Sequence, residues 1–173
     1  LMKHAEALTS ITCSTVNSYN GLVPRVGGFE GGTVTWAPTN ITYGHNNRSA
    51  QFRLPQNRYC IENRAADMTM NVYLALAITM SAAVEGIEKK IHPGDPTDQD
   101  LYDMSESEFK RLGIKRLPKN LLMALDAFKK DKLIDDVLGT VMKKSLLAYK
   151  NDEWERYHQA VTDWEVKEYL RLY

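Results

Sequence analysis

Arginine is the residue type whose distribution along this chain points most clearly to chemistry. The segment between Lys3 and Lys89 contains no lysine, whereas lysine is frequent after Lys89. Five arginines fall within that segment: Arg25, Arg48, Arg53, Arg58 and Arg64. A guanidinium can bind a phosphate or carboxylate through two parallel hydrogen bonds, which an ammonium group cannot do. The first half of the chain is therefore predicted to contain a binding site for anionic groups.

One candidate strand, over residues 58–64, would gather several of these side chains. Successive side chains of a strand point to opposite faces of the sheet. Arg58, Cys60, Glu62 and Arg64 would therefore share one face. This strand predicts a polar surface on which guanidiniums surround a single carboxylate.

A second candidate strand, over residues 50–54, shows the same alternation and ends before Pro55. Gln51 and Arg53 would share its polar face, opposite Phe52 and Leu54. Two interpretations of the combined polar surface stay open at this point. Either it is a network of surface ion pairs, or it binds a polyanion while Glu62 holds a divalent cation that bridges to phosphate oxygens.

A glycine-rich loop is the second feature with chemical potential. Four glycines surround Phe-Glu in the segment Gly27-Gly-Phe-Glu-Gly-Gly32. Glycine permits backbone conformations that other residues avoid, so the loop would be mobile, with Glu30 at its tip. It is either a long hairpin connection or a lid that carries a general base into a closed site.

Several common catalytic motifs are missing from the sequence. The glycine-rich loop lacks the Gly-Lys-Ser/Thr ending of a P-loop, and no HExxH motif occurs. The four histidines form no recognisable set with a nucleophile, and His4 and His158 fall in helix patterns. Cys13 and Cys60 provide neither a disulfide framework nor a CxxC pair, which favours two reduced, buried thiols in a cytoplasmic protein.

The composition is that of an ordinary globular domain. The chain has 173 residues and a formal net charge of zero, which gives no reason to expect nucleic acid or an anionic membrane as a partner. The most apolar run, residues 72–84, is followed by charged residues and is too short to span a membrane.

The two halves of the chain predict different secondary structure. A short helix over residues 1–12 precedes strands and loops, including a strand around Val34 and Trp36, whereas residues 71–173 show helical patterns. The apolar pattern of residues 71–90 predicts a buried helix. Ser105 and Thr162 each begin a capping box. The predicted fold class is α+β, with a few antiparallel strands and a helical C-terminal half.

Short motifs throughout the chain resemble the catalytic domain of the glutamine synthetase family, in the family's order. The first half contributes Asn17-Ser-Tyr19, Leu22-Val-Pro24, Gly28-Phe-Glu30, Asn47-Arg-Ser49, Arg53-Leu-Pro55, Ile61-Glu-x-Arg64 and Asp67-x-x-x-Asn71-x-Tyr-Leu74. The helical half contributes Leu101-Tyr-Asp-Met-Ser105, Leu117-Pro-x-x-Leu121 and Glu153-Trp-Glu-Arg-Tyr157. Each motif alone is weak, but so many in order make chance a poor explanation.

The resemblance implies an ATP-dependent ligase that forms a γ-glutamyl amide from glutamate and ammonia or another amine. ATP would phosphorylate the γ-carboxylate, and the amine would then displace the phosphate. By this resemblance Glu62 would be a ligand of Mg²⁺ or Mn²⁺ on the nucleotide phosphates. Arg48 would stabilise the phosphoryl group during transfer, and Arg53, with Arg58, would hold the nucleotide phosphates. Phosphoryl transfer depends mainly on such positioning and cationic stabilisation.

The resemblance also assigns residues to the other substrates. Arg64 would bind the α-carboxylate of glutamate, and Glu30 would close over the site and take a proton from the attacking ammonium. The family pattern usually reads Asn-Ser-Tyr-Lys-Arg, and that arginine reaches the substrate, whereas this chain has Asn20 and Gly21. Arg25 would compensate for the missing guanidinium.

Two further departures distinguish this chain from the family pattern. Cys60 stands two residues before Glu62, where a basic residue is frequent, and extra residues separate Pro24 from Gly28. With Gly21, these departures favour a divergent member or one that acts on an amine other than ammonia.

The resemblance covers residues 1–173 as the C-terminal portion of the catalytic domain. The family's small N-terminal domain and remaining metal ligands would lie upstream. This portion alone is then expected to be inactive, and the full-length protein to be a ring-shaped homo-oligomer. Two alternatives remain. One is a non-catalytic descendant with a structural or regulatory role, and the other is a module that binds a phosphorylated metabolite through the arginine face.

Overall fold

The computed structural model describes residues 1–23, 37–102, 104–170 and 172. The predicted glycine-rich loop with Glu30, together with Arg25 and the strand expected around Val34 and Trp36, lies outside these residues. Among the described residues, no helix combines the length and apolar character needed to cross a membrane.

A four-stranded sheet and a set of helices form the architecture, which confirms the predicted α+β class. The strands occur in the order β3-β2-β1-β4. Their bounds are β1 Asn40–His45, β2 Ala50–Leu54, β3 Glu62–Asn63 and β4 Lys115–Arg116. The strand predicted over 50–54 is confirmed, whereas the strand predicted over 58–64 forms over only two residues.

The strand directions differ in one respect from the prediction. β2 pairs with β3, and β1 with β4, in the predicted antiparallel manner, but β1 and β2 run parallel. Alternation of polar and apolar residues is the same in both kinds of pairing, so the sequence pattern could not specify this direction. The connection is residues 46–49, much shorter than the crossovers that usually join parallel strands. Asn47 anchors it by donating to the backbone oxygens of Thr97 and Gln99, at 2.6 and 3.0 Å.

Helices make up most of the remaining structure. A 3₁₀ turn, Met2–His4, leads into α1, and a second 3₁₀ helix covers Val16–Leu22. The helix bounds are α1 Ala5–Thr12, α2 Val72–Glu88, α3 Glu106–Leu112, α4 Leu121–Lys130, α5 Lys132–His158 and α6 Asp163–Tyr169. Ser105 and Thr162 form the predicted capping boxes at the starts of α3 and α6.

The main core lies between the sheet and helices α1, α2 and α5. Phe52 of β2 is buried there with Leu8 of α1, Ile78 of α2 and Ile134 of α5. The apolar face of β2 thus points toward the helices, so its polar face points to the other side of the sheet.

Helix α2 is less buried than its apolar sequence predicts. Its buried residues are Ala75, Ile78 and Ala82. An apolar stripe on its surface is exposed: Tyr73, Leu76, Met80, Val84 and Ile87. Among the described elements, α1 and α5 contact α2 and cover one side of it. An apolar pattern all round a helix does not reveal which side is covered within the same chain, and a stripe of this length is typical of an interaction surface.

The two cysteines have different environments. Burial raises the pKa of Cys13 to about 12, and its thiol donates to the backbone oxygen of Ala65 at 2.6 Å. Cys60 is exposed, so the prediction of two buried thiols is wrong for this residue. Cys60 precedes β3 and is not part of the sheet.

Buried His4 joins the N-terminal helix to two other helices. Its Nδ1 lies 2.8 Å from a carboxylate oxygen of Asp131, the N-cap residue of α5, and its Nε2 contacts Glu85 of α2. Each ring nitrogen thus faces a carboxylate, one on α5's N-cap residue and one on α2. His4 therefore has the structural role expected from its place in a helix pattern.

A glycine pair offers a matched test of backbone strain in the helices. Gly139 interrupts α5 with φ of 68° and ψ of 167°, a conformation open essentially to glycine alone. Gly86 in α2 has ordinary helical geometry, and beyond its own helix backbone a Cβ at either position would meet no atom of the described chain within 4 Å. We expect Gly139→Ala to lower the free energy of unfolding by about 1–3 kcal/mol. Gly86→Ala should raise it by about 0.5–1 kcal/mol.

Urea denaturation of both variants tests this expectation. A Gly139→Ala variant as stable as Gly86→Ala would contradict the strain at residue 139.

Candidate active site

The register between β2 and β3 brings four polar side chains onto one face of the sheet. Arg53 lies directly opposite Glu62, and the backbone N–H of Arg64 donates to the backbone oxygen of Gln51 at 2.8 Å. Residues opposite each other in an antiparallel pair share a face, as do residues two apart along one strand. Gln51, Arg53, Glu62 and Arg64 therefore form a compact group on the face away from the helical core.

Three arginines, Arg53, Arg58 and Arg64, converge on the Glu62 carboxylate. Glu62 and these three arginines are called the Glu62 cluster below. Arg53 donates to one oxygen at 2.9 Å, and Arg64 donates to the other at 3.0 Å. Arg58 reaches the first oxygen at 3.3 Å but is 61% exposed, against 19% for Arg53 and 18% for Arg64. Arg53 and Arg64 are therefore the firmly held members, and Arg58 contributes a weaker, solvent-screened contact.

A turn with a left-handed residue, Asn46, positions the Arg53 guanidinium through the nitrogen that does not bind Glu62. Asn46 has φ of 57°, in the left-handed region that Asn tolerates better than most residues. Its side-chain oxygen accepts a hydrogen bond from Nη2 of Arg53 at 3.0 Å. Asn46 was not identified from the sequence, although an Asn just after a strand is a recognisable turn signal.

Arg48 is linked to the cluster through its backbone. Nε of Arg64 donates to the backbone oxygen of Arg48 at 3.1 Å, which orients the Arg64 guanidinium. The Arg48 side chain itself is exposed. Its neighbour Ser49 is fixed by Asn47, whose side-chain oxygen accepts from both the Ser49 N–H and its hydroxyl. The structure thus holds the Arg48 backbone beside Arg64 and leaves the Arg48 guanidinium accessible.

The cluster is electropositive, because three guanidiniums surround one carboxylate. Partial burial alone would raise the pKa of Glu62, but hydrogen bonds from Arg64 and Arg53 outweigh burial and hold the pKa below its usual value. Glu62 therefore remains ionised at neutral pH, and the uncompensated positive charge is available to an anionic ligand.

The lowered pKa of Glu62 predicts a specific pH dependence of stability. A carboxylate with a lower pKa in the folded state stabilises the fold above its unfolded pKa, near 4.3, and loses this contribution as pH falls through the folded pKa. Between pH 6 and pH 3 we expect the wild-type chain to lose more free energy of unfolding than Glu62→Gln. Urea denaturation across this range measures the difference. Equal losses in the two proteins would contradict the ion pairing of Glu62.

The predicted site residues have different outcomes in the structure. Arg53, Arg58, Glu62 and Arg64 come together, whereas Arg25 and Glu30 lie outside the described residues. Cys60, predicted to share their face, is exposed and lies outside β3. At Gly21, in the 3₁₀ helix, an added Cβ would meet no atom of the described residues within 4 Å beyond its two chain neighbours, so this part of the structure offers space for a side chain.

The donors of the cluster match a metal-bound polyphosphate in part. The Glu62 carboxylate is the kind of oxygen ligand that Mg²⁺ prefers, and the adjacent arginines match phosphate oxygens. In the described part of the chain, no group of three or more His, Cys, Asp or Glu side chains could hold a metal ion. Glu62 is thus a suitable metal ligand that would need further ligands from outside the described residues.

A cavity of about 1000 Å³ lies on the other side of β2. Its lining includes the apolar-face residues Tyr43, Phe52 and Leu54. Two of its charged residues, Lys3 and Glu85, are paired with each other at 2.8 Å. Size alone would favour this cavity as a ligand site, but the Glu62 cluster has the excess of positive charge that an anionic substrate requires.

Comparison with known proteins identifies the family. The family model for the glutamine synthetase catalytic domain matches residues 1–169. The chain is 43% identical over its full length to the glutamate–methylamine ligase of Methyloversatilis universalis, and covers 38% of that protein. It is 42% identical to the glutamine synthetase of Methanocaldococcus jannaschii, with 98% of this chain and 36% of that protein aligned.

Solved structures agree with the sequence comparison. The chain superposes on a GmaS/ADP complex with a TM-score of 0.81 and 33% identity, covering 99% of this chain and 38% of that one. An apo GmaS structure gives a TM-score of 0.77 and 32% identity, covering 98% and 36%. The chain spans less than two fifths of the length of these relatives. Because the family model matches nearly every residue, the chain belongs to the glutamine synthetase family.

Proposed function

We propose that the full-length protein is an ATP-dependent ligase that joins the γ-carboxylate of glutamate to ammonia or a small alkylamine. The observation that carries this proposal is the convergence of Arg53, Arg58 and Arg64 on Glu62. Membership of a family of glutamate ligases supports it, as does the similarity to a protein named glutamate–methylamine ligase. In this proposal residues 1–173 are the C-terminal portion of the catalytic domain.

The chemistry assigns a task to each member of the cluster. Arg53 and Arg58 bind the nucleotide phosphates, and Arg48, whose guanidinium is exposed beside Arg64, stabilises the phosphoryl group as charge spreads over its oxygens. Glu62 holds a divalent cation together with ligands from the rest of the protein. That cation, when bound, neutralises phosphate charge and orients the oxygens for transfer.

The glutamate end of the site depends on the remaining candidates. Arg64 binds the α-carboxylate, which places the γ-carboxylate near the terminal phosphate. Oxygen of the γ-carboxylate attacks that phosphate and ADP leaves. The amine nitrogen then attacks the acyl phosphate carbon, and inorganic phosphate leaves. Glu30 takes the proton from the amine, and Arg25 contributes to substrate binding.

Gly21 favours an amine larger than ammonia as the second substrate. An added Cβ at this position meets no atom of the other described residues within 4 Å, apart from its two chain neighbours, so the described part of the chain leaves room beside the 3₁₀ helix. Tyr19 and Leu22 of this helix pack in one cluster with Ala65, the residue that follows Arg64. The 3₁₀ helix that carries Gly21 therefore packs near the segment that carries Arg64.

The second candidate is a non-catalytic descendant with a structural or regulatory role. The specific observation in its favour is also Gly21, because the family pattern usually has an arginine at this position. The intact Glu62 cluster opposes it, because a site released from its function would not be expected to keep three converging arginines.

Product formation separates the two candidates. Full-length protein is incubated with ATP, Mg²⁺, glutamate and either ammonia, methylamine or ethylamine. Phosphate release and the γ-glutamyl product are measured by a coupled assay and mass spectrometry. We expect amine-dependent phosphate release, with the highest kcat/KM for an alkylamine. No release with any of the amines would overturn the ligase proposal and favour the non-catalytic one.

A further inference from the structure

Gln51 is a buried polar residue whose place in the sheet links it to both firmly held arginines. It lies opposite Arg64 across the β2–β3 pair and two residues before Arg53 on β2. All three side chains therefore project from the same face. Gln51 is 0% exposed, whereas Arg53 and Arg64 are partly exposed. The Gln51 amide is thus an enclosed neighbour of the two guanidiniums.

Unpartnered polar atoms are concentrated around Gln51. Among the described residues, neither its Oε1 nor its Nε2 has a hydrogen-bond partner, and Nε of Arg53 is also buried without an acceptor. The other two nitrogens of the Arg53 guanidinium are used, because Nη1 donates to Glu62 and Nη2 donates to Asn46. An unused donor, the Nε–H of Arg53, and an unused acceptor, Oε1 of Gln51, therefore occur on neighbouring side chains of one strand face.

Fold stability does not explain the presence of an amide at this position. Buried polar atoms without partners are rare in folded proteins because each has lost its hydrogen bonds to water. A methionine would occupy nearly the same volume without that cost. Orphaned polar groups of this kind are expected where a second arrangement of the site supplies the missing partner.

We propose that Gln51 is a positioning residue that holds Arg53 in its ligand-binding orientation; this rests on the proposed binding of nucleotide phosphates at the Glu62 cluster. When a phosphate oxygen draws Nη1 of Arg53 away from Glu62, the guanidinium reorients. Its Nε–H then donates to Oε1 of Gln51. Asn46 and Gln51 together hold the guanidinium plane, and Glu62 is released from one of its arginines.

This arrangement gives Gln51 a task that a merely structural residue would not have. In the arrangement that the structure shows, its amide has no partner among the described residues, so removal of the amide should not weaken the fold. In the ligand-bound state the amide completes the contacts of Arg53, so its removal weakens anion binding. Affinity and stability should therefore respond in opposite directions to the same substitution.

The test uses the full-length enzyme with Gln51→Met, which removes both polar atoms, and Gln51→Glu, which retains an acceptor of equal reach. Asn40→Leu is the matched control, because Asn40 is a buried amide with an unpartnered oxygen on the neighbouring strand, paired with Ala50. The readouts are KM for Mg·ATP, KM for glutamate, Tm, and Kd for inorganic tripolyphosphate by calorimetry.

We expect Gln51→Met to raise the KM for Mg·ATP and the Kd for tripolyphosphate about 10-fold, because the bound state loses one charge-assisted hydrogen bond. Its Tm should equal or exceed that of the wild type, and its KM for glutamate should change less than its KM for Mg·ATP. Gln51→Glu should bind tripolyphosphate more tightly than Gln51→Met, because its carboxylate can accept the Arg53 Nε–H, but less tightly than wild type, because the added negative charge offsets part of the positive charge of the Glu62 cluster. Asn40→Leu should leave both affinities unchanged.

Three results would each overturn the inference. Unchanged affinities in Gln51→Met would show that the amide has no part in binding, and a lowered Tm with equally weak binding in both Gln51 variants would show a structural role. Failure of the ligase proposal gives a different result: wild-type protein would form no γ-glutamyl product but would still bind tripolyphosphate in a Gln51-dependent manner. Wild-type protein that does not bind tripolyphosphate would exclude the role of Gln51.

Discussion

Glu62→Gln in the full-length protein is expected to lower kcat/KM for γ-glutamyl amide formation by about 10²- to 10³-fold. The substitution keeps the size of the side chain but removes the carboxylate charge from among three guanidiniums. A neutral amide is a poorer ligand for a divalent cation, so half-saturation should require more Mg²⁺. A coupled assay of ADP release over a range of Mg²⁺ concentrations measures both effects.

Glu106→Gln is the matched control for this substitution. Glu106 is 72% exposed and pairs with Arg116, so the change also removes a carboxylate from a guanidinium, away from the Glu62 cluster. Its kcat/KM should stay within about twofold of wild type, as expected for an exposed ion pair. Equal activities of Glu62→Gln and wild type at every Mg²⁺ concentration would show that Glu62 does not hold the cation.

Arg64→Lys is expected to raise the KM for glutamate about 10- to 100-fold. Lysine retains the positive charge but lacks the planar fork that matches a carboxylate. It also lacks the Nε–H by which Arg64 is held to the backbone oxygen of Arg48. Initial rates at saturating Mg·ATP with varied glutamate measure this effect, and the KM for Mg·ATP should change much less.

Arg116→Lys is the control for the loss of a guanidinium. Arg116 pairs with Glu106, as Arg64 pairs with Glu62, and it also lies over the ring of Phe109. Its KM for glutamate should match that of wild type. An unchanged KM in Arg64→Lys would remove Arg64 from the glutamate site, and an equal rise in both variants would show a non-specific effect.

Local signals in the sequence predicted local structure well. The capping boxes at Ser105 and Thr162 begin α3 and α6 because the relevant hydrogen bonds join residues three apart. Glycine is a poor residue for a helix interior, and Gly139 is the position where α5 is interrupted. Alternation over residues 50–54 predicted β2 and the shared face of Gln51 and Arg53. Each of these features depends on neighbours in sequence.

Features that depend on distant contacts were predicted less well. Alternation carries no information on strand direction, so the parallel pairing of β1 with β2 was not foreseen. The apolar sequence of α2 indicated burial, but it could not show that one side would lack a partner among the described residues. Asn46 contacts Arg53 across a turn whose left-handed residue has no periodic signal.

The candidate site was predicted in composition but not in geometry. Arg53, Arg58, Glu62 and Arg64 were identified from residue type and alternation, and the sequence left open whether they form surface ion pairs or a binding site. The structure shows that these residues form ion pairs that are partly buried. The same residues carry excess positive charge, so an ion-pair network and an anion-binding site can be one surface. The unpartnered atoms of Gln51 and Arg53 became visible only when the packing of β2 was known.

A crystal structure of the full-length protein with Mg·ADP and glutamate tests the central claim most directly. We expect phosphate oxygens within hydrogen-bonding distance of the Arg53 guanidinium, the glutamate α-carboxylate on Arg64, and a Glu62 oxygen coordinated to Mg²⁺. Nucleotide bound in the cavity on the Phe52 side of the sheet, with Glu62 still held by all three arginines, would contradict it.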